Sequence, residues 1–130
     1  MKNGRLRLFL IIVIISILGV LAIFVVRNSN DKVPNGKYDS FASCLREKGA
    51  VFYGTFWCTH CRATKENFGS SYKLLSYVEC STPNARDQMQ ACKDKKIERY
   101  PTWEFADGSR LTGEVPFSVL AEKTSCELPE

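Results

Sequence analysis

Nineteen consecutive residues, Leu8 to Val26, are apolar apart from Ser16 and Gly19. A chain of 130 residues builds one modest core, and a run this long has no place in it. As a helix the run reaches about 28 Å, close to the roughly 30 Å hydrocarbon core of a bilayer. Lys2, Arg5 and Arg7 precede it without an acidic residue, whereas Arg27, Asp31, Lys32, Lys37 and Asp39 mix both signs beyond it. A cleaved signal peptide shares the basic start and apolar run. Its apolar region would be shorter, however, and "RNSN" at 27–30 offers a polar exit in place of a small-residue cleavage site. The expected organisation is therefore a cytoplasmic N-terminus (1–7), a transmembrane signal anchor (8–26), a linker (27–37) and one extracytoplasmic domain (38–130), oriented by the positive-inside bias.

The net charge of +4 shrinks once that anchor is set aside. Without Lys2, Arg5 and Arg7 the chain has 15 basic against 14 acidic residues, so no nucleic-acid surface is expected. Six cysteines in a small exported domain point to an oxidising compartment. They allow three structural disulfides, or two plus one working pair, and the count alone does not separate these.

Coarse patterning gives the order α-β-α-β-α-β-β-α beyond the linker. A short helix runs from Asp39 or Ser40 to Lys48 and stops at Gly49. "AVFYGTFW" (50–57) reads as a buried strand, followed by a helix from Cys58 or Thr59 to about Phe68. A second strand covers Tyr77 to Cys80, "STPNA" is a loop, and "RDQMQACKDKKI" reads as a helix with Met89 and Cys92 on nearly one face. "PTWEFADGSRLTGE" suggests two strands joined at Asp107-Gly108. Pro116 then opens a closing helix at its first turn.

The chemistry concentrates in "WCTHC". A cysteine where a strand hands over to a helix meets unpaired backbone N–H groups and the positive end of the helix dipole, which favour a thiolate. Cys61, one turn later, is in reach to form or resolve a disulfide with Cys58. His60, the single histidine, adds positive charge there when protonated, and stabilising the reduced form makes the disulfide a stronger oxidant. Half a zinc site is the first competing reading, but Cys80 and Cys92 are not at knuckle spacing and His60 lies inside the motif. A purely structural Cys58–Cys61 bridge is the second. In "RYPTWEF", Pro101 opens a strand; taken locally, an ordinary trans peptide after Tyr100 is the expectation, with a cis bond the alternative.

WCTHC after a strand, Tyr-Pro-Thr opening a strand about forty residues later, and the element order together resemble the thioredoxin superfamily. "GAVFYGTFWCTHCRATKENFG", "YVEC", "QACKDKKI" and "YPTWEFADGSRLTGE" narrow the resemblance, over roughly residues 40 to 122. They are similar to the thioredoxin-like domain that follows vitamin K epoxide reductase-like membrane proteins in bacteria and plastids. The resemblance implies an α/β thioredoxin-like fold, a four-stranded mixed sheet flanked by helices. It implies Cys58 as attacking thiol, Cys61 as resolving thiol, Pro101 as a cis-proline facing them, and the Tyr100 backbone as a strand-pairing site for substrate. Trp57 is either an aromatic flank of the site or plain strand-end packing. A structural disulfide between Cys80 and Cys92 is implied as well. Cys44 and Cys126 lie at the margins of the resemblance; a bridge between the first and last helices, a bond between chains and two free thiols all stay open.

The implied activity is a membrane-anchored thiol–disulfide oxidoreductase that oxidises exported protein thiols, with no metal and no organic cofactor. The quinone-reducing bundle lies outside the resemblance and one anchor stands in its place. The expected electron acceptor is thus a separate vitamin K epoxide reductase-like or other quinone-linked membrane oxidoreductase. Thr59 replaces the proline frequent in the motif, so the redox potential does not carry over. Two rivals stand beside this reading: a reductase or isomerase using the same site, and a non-enzymatic thioredoxin-like binding or assembly module.

Overall fold

The computed structural model describes residues 2–29 and 35–130. It divides into two units. The first is a single helix, α1, Lys2–Ser29. Within it Leu6–Ile23 is long and apolar enough to cross a bilayer, and none of that stretch is buried. The helix continues through Arg27 to Ser29, residues expected to begin the linker, and the rest of the expected linker up to Pro34 lies outside the described residues. Its last part is not a free tether. Asn35–Tyr38 form a turn in which the Gly36 and Tyr38 N–H groups donate to the hydroxyls of Ser70 and Ser71, at 3.0 and 3.2 Å.

The second unit has the expected element order. After α2 (Asp39–Glu47) come β1 (Val51–Gly54), α3 (Thr59–Phe68), a 3-10 turn (Gly69–Leu74), β2 (Ser76–Glu79), α4 (Gln90–Asp94), β3 (Thr102–Glu104), β4 (Arg110–Thr112) and α5 (Phe117–Thr124). The strands form one mixed sheet in the order β2-β1-β3-β4. β1 runs parallel to β2, with Phe52 opposite Tyr77, and antiparallel to β3, with Phe52 opposite Trp103. β3 and β4 are the expected hairpin around Asp107-Gly108; Gly108 supplies the positive φ, 77°, that the turn demands. This is an α/β, thioredoxin-like architecture.

Period-two alternation along β1 explains its two-sided burial. Phe52 joins a cluster with Phe41, Leu45, Phe68, Trp103 and Leu120, stacked on Trp103 at 4.8 Å between ring centroids. Tyr53 belongs to a second cluster with Cys80, Cys92 and Ile97. A disulfide joins Cys80 to Cys92 within that second cluster, and another joins Cys44 of α2 to Cys126 just past α5.

Three local expectations need correction. The strand expected over 50–57 stops at Gly54, where pairing with β2 ends. The Cys58 N–H then donates to the Thr55 carbonyl and closes a turn. The helix expected over 86–97 is only α4, five residues long. Upstream, Gln88 bridges Ser81, the Met89 N–H is held by the Cys80 carbonyl at 2.7 Å, and Asn84 and Asp87 side chains accept from the Arg86 and Gln88 N–H groups. Side chains that satisfy nearby backbone in this way compete with a helix. Met89 is consequently the residue that caps α4, and it is exposed while Cys92 is buried. Pro116 sits one residue before its expected place, as the cap of α5, with its carbonyl accepting from the Val119 and Leu120 N–H groups.

Candidate active site

The end of β1 delivers the chain to the mouth of the site. Cys58 caps α3 with extended backbone, and its sulfur accepts from the Cys61 N–H at 3.4 Å. Its Sγ also lies 3.8 Å from the Tyr100 carbonyl, immediately before the Tyr100–Pro101 peptide, which is cis. The local expectation of a trans peptide is thus replaced by the alternative. Cys58 and Cys61 are both free thiols here. Both are buried, but Cys58 keeps 8% of its surface exposed and Cys61 none, so of the two Cys58 is the one nearer solvent.

That burial has an electrostatic consequence. Removal from water, and next the hydrogen bond with Cys58, push the Cys61 thiol up to about 12, against opposing help from the Thr55 backbone and Lys65. A thiol raised above its unfolded value of 9.0 stays protonated in the folded state while the unfolded chain ionises. We therefore expect the reduced protein to be fully stabilised below about pH 9 and to lose stability as pH rises towards 12. The oxidised protein has no such thiol. Urea midpoints of both forms across that window check this, and parallel curves would contradict it.

Cys61 packs under the strand because residue 54 has no side chain. A Cβ at Gly54 would lie 3.1 Å from both Cys61 Sγ and Tyr77 Cε2. Gly54→Ala should then displace the buried thiol and cost roughly 1–3 kcal/mol. The check is a lowered urea midpoint together with slower closure of Cys58–Cys61.

The sequence-level candidates gather with uneven closeness. Trp57 is half exposed, donates its indole N–H to Ser81 Oγ at 2.9 Å, and meets the Tyr100 ring edge-on at 6.2 Å. His60 turns Nδ1 to Glu114 Oε1, 2.5 Å away and 54 residues on. Cys80 and Cys92 flank the loop behind Trp57, whereas Cys44 and Cys126 are bonded to each other at the α2–α5 side. Among the described residues no cluster of three or more His, Cys, Asp or Glu side chains suits a metal ion.

Sequence reasoning passed over Glu79, Tyr77, Lys65, Glu114 and Gly54. Glu79 ends β2 and accepts from the Phe56 and Ser81 N–H groups at 3.2 and 2.9 Å and from the Tyr77 hydroxyl at 2.6 Å, which pins the Phe56–Trp57 turn. Lys65 places its ammonium 3.5 Å from the centre of the Tyr77 ring. Burial lowers the Lys65 pKa and raises that of Tyr77. The available signal was a carboxylate inside the expected second strand, Tyr77 to Cys80; for Glu114 there was none, because its partner is remote in sequence.

No protein-family profile matches the chain. Over 95 residues, 70% of its length, it is 40% identical to thiol-disulfide oxidoreductase LTO1 of Arabidopsis thaliana. The match covers 25% of that protein, so the chain spans about a quarter of the curated relative. The chain thus shares sequence over most of its length with part of a protein named for thiol–disulfide exchange.

Proposed function

We propose that this chain is a thiol–disulfide oxidoreductase, held to a membrane by α1 with its domain outside the cytoplasm, and that it works as a dithiol oxidase. One observation carries the reading: the less buried thiol of the pair caps α3 within 3.8 Å of the Tyr100 carbonyl, with a fully buried second thiol one turn inside. In the oxidised protein a substrate thiolate attacks Cys58 Sγ and the Cys61 sulfur leaves as thiolate, taking up a proton. A second substrate thiolate then attacks the substrate sulfur of the mixed disulfide and releases Cys58. Two electrons and two protons have passed to the protein, and the substrate keeps the disulfide. A quinone-linked membrane oxidoreductase, of the vitamin K epoxide reductase-like type, withdraws them again. The similarity to a named thiol–disulfide oxidoreductase, the basic N-terminus and the six cysteines support the activity and the compartment.

A second reading, reduction or isomerisation at the same site, is favoured by the Glu114 carboxylate. It offsets the positive charge that a protonated His60 brings to the thiolate, and so weakens the oxidising bias. The equilibrium of Cys58–Cys61 against a glutathione series decides: a potential well above that buffer's supports the oxidase, and one well below it supports the reductase. Failure to turn over any dithiol would leave the binding-module reading. In the same titration Glu114→Gln removes a negative charge near Cys58, favours the reduced form, and should raise the potential. The pair is exposed, so the shift should be small, roughly 5–20 mV. His60→Ala should move it the other way.

A further inference from the structure

A cleft of about 270 Å³ opens beside the reacting cysteine, walled by Trp57, Tyr100 and the loop from Ser81 to Gln88. It shares two walls with the site. Trp57 immediately precedes Cys58, and Tyr100 carries the carbonyl that faces Cys58 Sγ. An extended chain advances about 3.3–3.6 Å per residue, so a residue one or two positions from a cysteine held on Cys58 reaches this cleft.

The walls are fixed before anything binds. The Trp57 indole is tied to Ser81. Gln88 Nε2 donates both to the Ile97 carbonyl at 2.6 Å and to the Tyr100 hydroxyl oxygen at 2.5 Å; the carbonyl partner settles which end of that amide is which. The Thr82 N–H reaches the Asp87 carbonyl at 3.0 Å and the Met89 N–H the Cys80 carbonyl, while Cys80 is bonded to Cys92. A subsite built this way spends little ordering free energy on its occupant.

Its rim carries donors without partners. Asp87 is engaged at one oxygen, Oδ1, by Lys93 at 2.9 Å and the Gln88 N–H at 2.7 Å, and the Lys93 ammonium offsets its charge. Arg86, also on the rim, makes no ion pair among the described residues. The Tyr100 oxygen accepts from Gln88 and so keeps its own hydrogen to donate. A guanidinium and a phenolic O–H in a cleft walled by two aromatic side chains suit an apolar stem that ends in an acceptor with negative charge. Resting on the reading of Cys58–Cys61 as an exchanging pair, we propose that this cleft is a specificity subsite for an acidic side chain, glutamate above all, flanking the attacked cysteine of a polypeptide substrate.

The test uses the full-length oxidised protein in detergent and two-cysteine peptides that differ at one position. That position holds Glu, Gln, Lys or Phe, one or two residues to either side of the first cysteine. Turnover of dithiothreitol by the wild type reads the cysteine pair independently of the cleft. At low salt the Glu peptide should be oxidised about tenfold faster, in the second-order rate constant of a single turnover, than the Lys peptide at one of the positions, with Gln between. Arg86→Glu should invert the Glu-to-Lys ratio and Arg86→Gln should flatten it. Equal peptide rates, a preference for Phe, or a Glu-to-Lys ratio unmoved by both variants, with dithiothreitol still oxidised, overturns the subsite and leaves the activity standing. Loss of dithiothreitol turnover in the wild type removes the activity and the subsite together.

Discussion

Cys61→Ala is expected to accumulate mixed disulfides with exported proteins, and Cys58→Ala to accumulate none. The asymmetry follows from access. On the proposed function Cys58, the less buried of the two, is the sulfur a partner attacks, and the fully buried Cys61, its thiol pushed up to about 12 by burial, exchanges with Cys58. With Cys61 gone, the intramolecular route that returns a mixed disulfide to the free protein is closed. With Cys58 gone, the remaining thiol is sealed. Dithiol turnover should fall in both variants by on the order of a thousandfold or more, as when a nucleophile is removed from a set that acts together. Non-reducing gels of both variants, probed for covalent partners, give the reading. Capture by Cys58→Ala, or alkylation of Cys61 ahead of Cys58 near neutral pH, would reverse the two roles.

The largest stability effect should come from a site with no part in the chemistry. Cys44 and Cys126 are separated by 82 residues, and the chain-entropy model gives a loop of that length about 4.5 kcal/mol, against about 3 kcal/mol for the 12-residue separation of Cys80 and Cys92. Replacing both Cys44 and Cys126 by alanine should lower the melting temperature by roughly 18–36 °C, since each kcal/mol is worth about 4–8 °C in a domain of this size. The Cys80/Cys92 pair of replacements should lower it less, and should loosen the Ser81–Gln88 loop. Calorimetry of the two double variants under non-reducing conditions provides the comparison; a smaller loss for Cys44/Cys126 would show the long loop to be constrained already in the unfolded chain.

How much of this was legible beforehand varies with distance along the chain. The element order was readable, because each periodic segment is bounded by its own breakers: Gly49 after α2, Asp107-Gly108 in the hairpin, Pro116 before α5. The strand-to-helix setting of Cys58 was readable for the same reason. α4 was misjudged because its upstream half is good helix sequence, and what overrides it is the bridge of Gln88 to Ser81 and the hold of the Cys80 carbonyl on Met89. Those are tertiary facts. Glu114 escaped notice because a carboxylate in a loop is ordinary until its partner, 54 residues away, is known. The peptide before Pro101 illustrates the opposite limit: the local statistics favour trans, and the fold around Cys58 contains cis.

The Cα atoms of Cys44 and Cys126 stand 5.9 Å apart, and this has an architectural corollary. The domain's first and last elements lie side by side and run the same way: Tyr38, just before α2, packs on Phe117 at the start of α5, and Cys44 near the end of α2 is bonded to Cys126 just past α5. The polypeptide therefore enters at one end of this helix pair and leaves at the other. A module whose first and last helices are bonded to each other can be joined to another protein at either end without reopening its sheet. Its neighbours in a longer polypeptide are then free to change while the interior arrangement is inherited whole.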